Sequence, residues 1–183
     1  SETTVNDNLT IIGTLNTSGA TRTTNITAAG SIRGKEIHVL NTAFKDEIDT
    51  DEIYIPFNST TEKNLPTGLN TPFVVPCAGR VLKVLYRCGG DQSSATATWR
   101  LRTVPNDETI TAGHAAIRGT TSCTGPNTDE VATADFLSLS SGTNEFAAED
   151  TLWITIQNDV DVGGESNYFV TVLLELYYNT LGY

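Results

Sequence analysis

The sequence contains no methionine, and its 183 residues include only two histidines and three cysteines. That scarcity leaves little from which to build nucleophilic or metal chemistry. Cys77, Cys88 and Cys123 lack the paired spacing of a structural metal site. No nucleophile elbow, P-loop or dinucleotide-binding glycine pattern is present. His38 lies between Ile37 and Val39 and reads as an exposed strand residue, and His114, in an Ala/Gly-rich stretch, reads as a surface loop. The expectation is a chain that is not an enzyme, with no cofactor and no metal.

Positive charge is also scarce: eleven Lys and Arg stand against 22 Asp and Glu, a net charge of −11. Such a balance provides no basic footprint for nucleic acid and disfavours adhesion to an anionic membrane surface. No apolar run is long enough to span a bilayer. The opening residues, SETTVNDN, have neither the basic start nor the apolar run of a signal peptide. Ser1 is read as the residue left after an initiator Met is removed. Asn-X-Ser/Thr sequons at Asn8, Asn16, Asn25 and Asn58 are read as by-products of an Asn/Thr-rich sequence. Cys77 and Cys88, on consecutive antiparallel strands, would lie about 26 Å apart, beyond disulfide reach. Free thiols fit a reducing cytosol, with a Cys88–Cys123 bridge left open.

Aromatic residues are missing from the first 43 positions, and all fourteen fall at or after Phe44. The aromatic-free part repeats itself. NLTIIGTLNT at 8–17 is echoed by NITAAGSIRG at 25–34, an offset of seventeen that pairs Leu9 with Ile26 and Leu15 with Ile32. Each copy reads as two short strands bent at Gly13 or Gly30. Alone, such a ribbon buries too little to offset the entropy of ordering, roughly 1–2 kcal/mol per residue for backbone. Either the segment is disordered or it borrows a core from identical neighbours, and the repeat favours the second. Three chains wound about one axis would turn Leu9, Ile11, Leu15, Ile26, Ile32 and Ile37 inward. This sets residues 1–44 as a stem and docking segment, KDEIDTDE at 45–52 as a charged hinge, and 53–183 as a head.

The head carries strand candidates at 52–57, 71–76, 80–88, 95–104, 112–119, 131–140, 151–158 and 167–178, separated by Gly, Pro, Asn and Asp. Alternation is clear in RVLKVLYRC and ATATWRLRTV. NYFVTVLLELYY is apolar on both faces and reads as a central strand or one at a subunit interface. No sustained helical period appears. The fold class expected is all-β: a short intertwined β-structured stem, then an antiparallel β-sandwich of jelly-roll type. If strands 80–88 and 95–104 pair, Lys83, Arg87, Arg100 and Arg102 form a basic stripe for docking or subunit contact. The acidic stretches at 49–52 and 158–165 lack a complete calcium pattern and read as surface turns. Trp99 and Trp153 would form a carbohydrate-binding patch only if Trp153 faced solvent.

NLTIIGTLNTSG and NITAAGSI resemble the shaft repeats of tailed-bacteriophage fibres, in which three chains share a slender stem. TPFVVPCAGRVLKVLYRCGG is similar in style to segments of phage fibre heads and capsid decoration proteins. No catalytic residue travels with this resemblance. It implies a homotrimeric virion component, assembled in the host cytoplasm and carried on the virion surface. As a capsid decoration, cement or head-fibre protein it would dock Ser1, Glu2, Thr3, Thr4, Val5, Asn6, Asp7 and Asn8 on the major capsid protein or another virion protein. As a tail-fibre head it would instead recognise a host glycan or protein through GGDQSS, NDVDVGGESN or the 120–130 region.

Overall fold

The computed structural model describes residues 31–57, 72–110, 115–140 and 142–181. Among them are ten strands and no helix: β1 (Ser31–Asp46), β2 (Ile53–Tyr54), β3 (Phe73–Val74), β4 (Gly79–Cys88), β5 (Thr96–Val104), β6 (Ala116–Thr124), β7 (Val131–Asp135), β8 (Glu145–Phe146), β9 (Thr151–Asn158) and β10 (Ser166–Leu181). All pairings are antiparallel. One sheet runs β1-β10-β4-β7, with β8 on β4, and the other runs β2-β9-β5-β6, with β3 on β9. Most successive strands, β4 and β5 or β9 and β10 among them, lie in opposite sheets, while β5 and β6 pair within one. That alternation makes the sandwich a jelly roll, as the strand count and turn spacing lead one to expect.

Period-2 patterning explains which way each strand faces. Val84, Tyr86 and Cys88 of β4 turn inward, as do Ala97, Trp99 and Leu101 of β5, to meet Val170, Val172, Leu174 and Leu176 of β10 in one core. Tyr86 and Trp99 join the sheets at 5.0 Å between ring centroids. Strand β9 is buried on both faces because Tyr54, Val104, Ala115 and Trp153 form a second, smaller cluster on the far side of its sheet. Each fully buried large side chain is worth about 1.5–3 kcal/mol, so these clusters hold the sandwich.

Strand β1 crosses the border expected at residue 44. It pairs with β10 in unbroken register from Ser31 opposite Leu181 to Asp46 opposite Ser166. Residues 31–44, grouped by composition with the stem, are thus an outer strand of the first sheet. The 45–52 stretch is tied into the core by buried Ile48 and by the buried Asn158 amide. That amide donates to the Ile48 carbonyl and to Gln92 Oε1, both at 2.9 Å. Leu9, Ile11, Leu15, Ile26, the docking residues Ser1–Asn8 and His114 lie outside the described residues.

The two ends of the sandwich differ. Beyond Leu176, which lies opposite Gly79, β10 pairs only with β1 among the described strands, so residues 31–34 and 178–181 form a two-stranded ribbon past the wider sheet. At the other end four connections converge: 47–52, 89–95, 125–130 and 159–165. Their contacts include Asp129 N to Cys88 O, Gln92 N to Pro126 O, Asn158 N to Asp49 O and Gly164 N to Glu47 Oε1.

Candidate interaction surfaces

The basic stripe does not form. Lys83 and Arg87 lie on β4 and Arg100 and Arg102 on β5, and these strands belong to different sheets. A hairpin was the natural reading of neighbouring strands joined by a short loop, but a jelly-roll connection crosses between layers instead. On the outer face of the second sheet, Arg102 donates to both Glu52 oxygens at 2.7 Å and to Ala115 O at 2.9 Å. Arg100 lies 3.6 Å from Glu52 and donates to Gln157 Oε1 at 2.8 Å. Thr155 Oγ1 donates to Glu52 as well. Burial pushes the Glu52 carboxyl up, but the Arg102 and Thr155 hydrogen bonds and the two guanidinium charges outweigh it and hold it below its ordinary value. Both arginines are thereby committed to the fold.

The outer face of the first sheet is different. Alternation from the paired register places Lys35, Ile37, Val39, Asn41 and Ala43 of β1 beside Tyr177, Glu175, Leu173, Thr171 and Phe169 of β10. Ile37 and Val39 are each 53% exposed, Phe169 56% and Val131 61%. Phe169 forms a ridge between two shallow troughs, one bounded by Asn41 and Ala43, the other by Leu85, Arg87 and Val131. At one border Glu175 binds Lys35 at 2.9 Å and Arg80 at 2.6 Å. The Lys35 bond, with that from Arg80, draws its pKa below the usual carboxylate value. At the other border Arg87 meets Asp129 at 3.2 Å. Ile37, expected in the stem core, thus sits on this face.

The tip loops use their carboxylates internally. Asp49 accepts from Asp51 N at 2.7 Å, Asp161 from Gly163 N at 2.7 Å and Asp159 from Thr96 N at 2.7 Å. Gly163 and Gly164 adopt φ of 72° and 80°, conformations glycine supplies without strain. Among the described residues no group of three or more His, Cys, Asp or Glu is arranged to hold a metal. Trp99 and Trp153 are both fully buried, so neither contributes an exposed aromatic patch. Cys77, Cys88 and Cys123 are free thiols, and the Cys88–Cys123 bridge is not formed. Burial raises the Cys123 thiol above its ordinary pKa, against the opposing influence of Tyr86 and Trp99.

Glu52 and Glu175 organise the two outer faces, yet sequence reasoning placed Glu52 in an acidic surface turn and assigned Glu175 no role. Glu175 had a signal: it is the one charge inside NYFVTVLLELYY. Glu52 had none, since it sits among four other acids at 45–52.

No protein-family description matches the chain, and no curated protein does. Solved structures with some likeness include the capsid asymmetric unit of cyanophage Pam1, at 17% identity over 88% of this chain and 97% of that one, with a TM-score of 0.37. The acid-stable capsid of Helicobacter pylori bacteriophage KHP30 is 11% identical over 81% and 98%, with a TM-score of 0.33. Turnip yellow mosaic virus is 14% identical over 88% and 88%, with a TM-score of 0.32. Likeness of this degree adds nothing to the strand order, and the functional reading rests on the chain's own surfaces.

Proposed function

We propose that this chain is a structural virion protein of a tailed phage, a homotrimer that decorates or cements the capsid by docking its N-terminal residues. The observation that carries the reading is the polarity of the sandwich. The β1–β10 ribbon leaves one end of the head at Ser31, where the second repeat of the fibre-like stem sequence runs directly into β1. The acidic connections 47–52, 89–95 and 159–165 gather at the opposite end. A head held by a stem at one pole, with a cluster of loops free at the other, is the layout a spacer needs. The three-chain seam would run through Leu9, Ile11, Leu15, Ile26 and Ile32. A protein that binds only the assembled shell stabilises it by mass action.

Quantitative mass spectrometry of purified particles tests this. Copies in the hundreds per particle support shell decoration, and absence from particles refutes a virion role. A second reading, a tail-fibre head that recognises a host glycan or protein, has its own observation: GGDQSS (89–94), NDVDVGGESN (158–167) and the 125–130 part of the 120–130 region come together at the tip. A few to a few dozen copies would favour it.

A further inference from the structure

We infer that the outer face of the β1-β10-β4-β7 sheet is covered by a second copy of this chain, with Phe169 as the central anchor. The inference deepens the trimer reading by giving the head its own seam, separate from the stem.

Strand phase is the first ground. Along 35–41, β1 turns Ile37 and Val39 away from the sandwich core, while Glu36, His38 and Leu40 occupy the side that faces the other sheet, and of these Leu40 packs on the core. Register is set by burial of the apolar set, and a one-residue slip would exchange the two faces. A strand that serves its own core with Leu40 and Phe44 and still turns Ile37 and Val39 outward has a second apolar face to cover. Strand β10 repeats the pattern, with Phe169 exposed and Leu173 half-buried on the same face.

Area is the second ground. Ile37, Val39, Phe169 and Val131, each more than half exposed, together present on the order of 400 Å² of apolar surface, as large as the largest patch on a typical monomer. With the half-buried Leu85, Leu173 and Tyr177 and a polar border, this is the centre of a standard interface of about 800 Å² per partner. The Phe169 ridge and its flanking troughs supply the relief that one copy needs to seat another.

Charge selects the occupant. The chain carries −11, so two copies repel over most of their surfaces. The tip is worst, with Glu47, Asp49, Asp51, Asp91, Asp159 and Asp161 exposed or half-exposed. The outer face of the first sheet holds Lys35, Arg80, Lys83 and Arg87 against Glu175, Glu145, Asp135 and Asp129, a neutral set. It is where like-charged copies can meet without that cost.

The test uses the full chain and sedimentation equilibrium, with Trp99 and Trp153 emission reporting folding. Phe169→Asp and the double variant Val39→Asp/Ile37→Asp should each weaken association by roughly a hundredfold or more, since each would bury unpaired charge. Val74→Asp, equally exposed but on the other sheet, should leave the mass unchanged. Wild-type mass in both face variants overturns the head seam. If Leu15→Asp/Ile26→Asp then dissociates, the stem trimer stands without it. A monomeric wild type overturns seam and trimer together. Hydroxyl-radical labelling of the wild type decides the matter even where a variant fails to fold: Phe169 should be shielded, and labelling at the level of a free surface ring overturns the inference.

Discussion

Replacing Glu52 by Gln keeps the shape of the side chain and removes its charge. Four groups converge on that carboxylate: two Arg102 donors at 2.7 Å, Thr155 Oγ1, and Arg100 at 3.6 Å. The side chains of Glu52, Arg100 and Arg102 are only 21%, 18% and 17% exposed, so solvent screens the pair less than a surface bridge. A hydrogen bond to a charged group is worth about 1.5–3 kcal/mol, and a surface pair about 0–1. Glutamine retains one acceptor. The expected loss at pH 7 is therefore about 2 kcal/mol, which lowers the urea midpoint by about 1 M for a typical slope of about 2 kcal/mol/M. The assay is urea unfolding followed by tryptophan emission, at fixed protein concentration because assembly contributes to stability.

The pH dependence carries a sign. The folded pKa of Glu52 is lowered from 4.5, so the pair's contribution is fully present above about pH 4.5 and is lost as pH falls through the lower folded value. The gap between wild type and Glu52→Gln should be constant from about pH 8 to 5.5 and shrink below about pH 4.5. No gap at pH 7, or a gap of undiminished width at pH 3, would refute the reasoning. Charge reversal at Arg100 and Arg102, by contrast, would report on this network and not on docking.

Three other outcomes are expected. Asn158→Ala strands the Ile48 carbonyl and Gln92 Oε1 in the core, and should cost about 2–3 kcal/mol in the same urea assay. Alkylation of the native protein at pH 8, read by mass spectrometry, should leave buried Cys88 unmodified and label Cys123 slowly, since burial raises its thiol pKa. Leu15→Asp/Ile26→Asp should abolish assembly, as seen in the sedimenting mass, while leaving tryptophan emission unchanged.

Much of the sandwich was legible because its central strands alternate. RVLKVLYRC, ATATWRLRTV and TLWITIQN were placed within a residue or two of β4, β5 and β9. Strand β8 is two residues long and has no period to detect. Strand β1 was hidden for a physical reason: its partner β10 lies more than a hundred residues downstream, and its apolar residues split between two faces, Leu40 and Phe44 inward and Ile37 and Val39 outward. Local patterning marks strands but not the layer to which a connection delivers the chain. Hence Arg100 and Arg102 were grouped with Lys83 and Arg87, although the crossover from β4 to β5 sets them on opposite sheets. Non-local partners also hid Glu52, whose arginines come from a strand some fifty residues away. The apolar second face of β10 was legible, and it is the face argued above to meet another copy.

The most direct measurement is the native mass of the full chain by sedimentation equilibrium, from roughly 0.1 to 100 µM, a range that brackets ordinary assembly affinities. A self-associating stem and head predict three times the 19.7 kDa chain mass over the upper part of that range, independent of concentration there. A single 19.7 kDa species at every concentration would contradict the trimer, and with it the proposal that this chain works as part of an assembled particle.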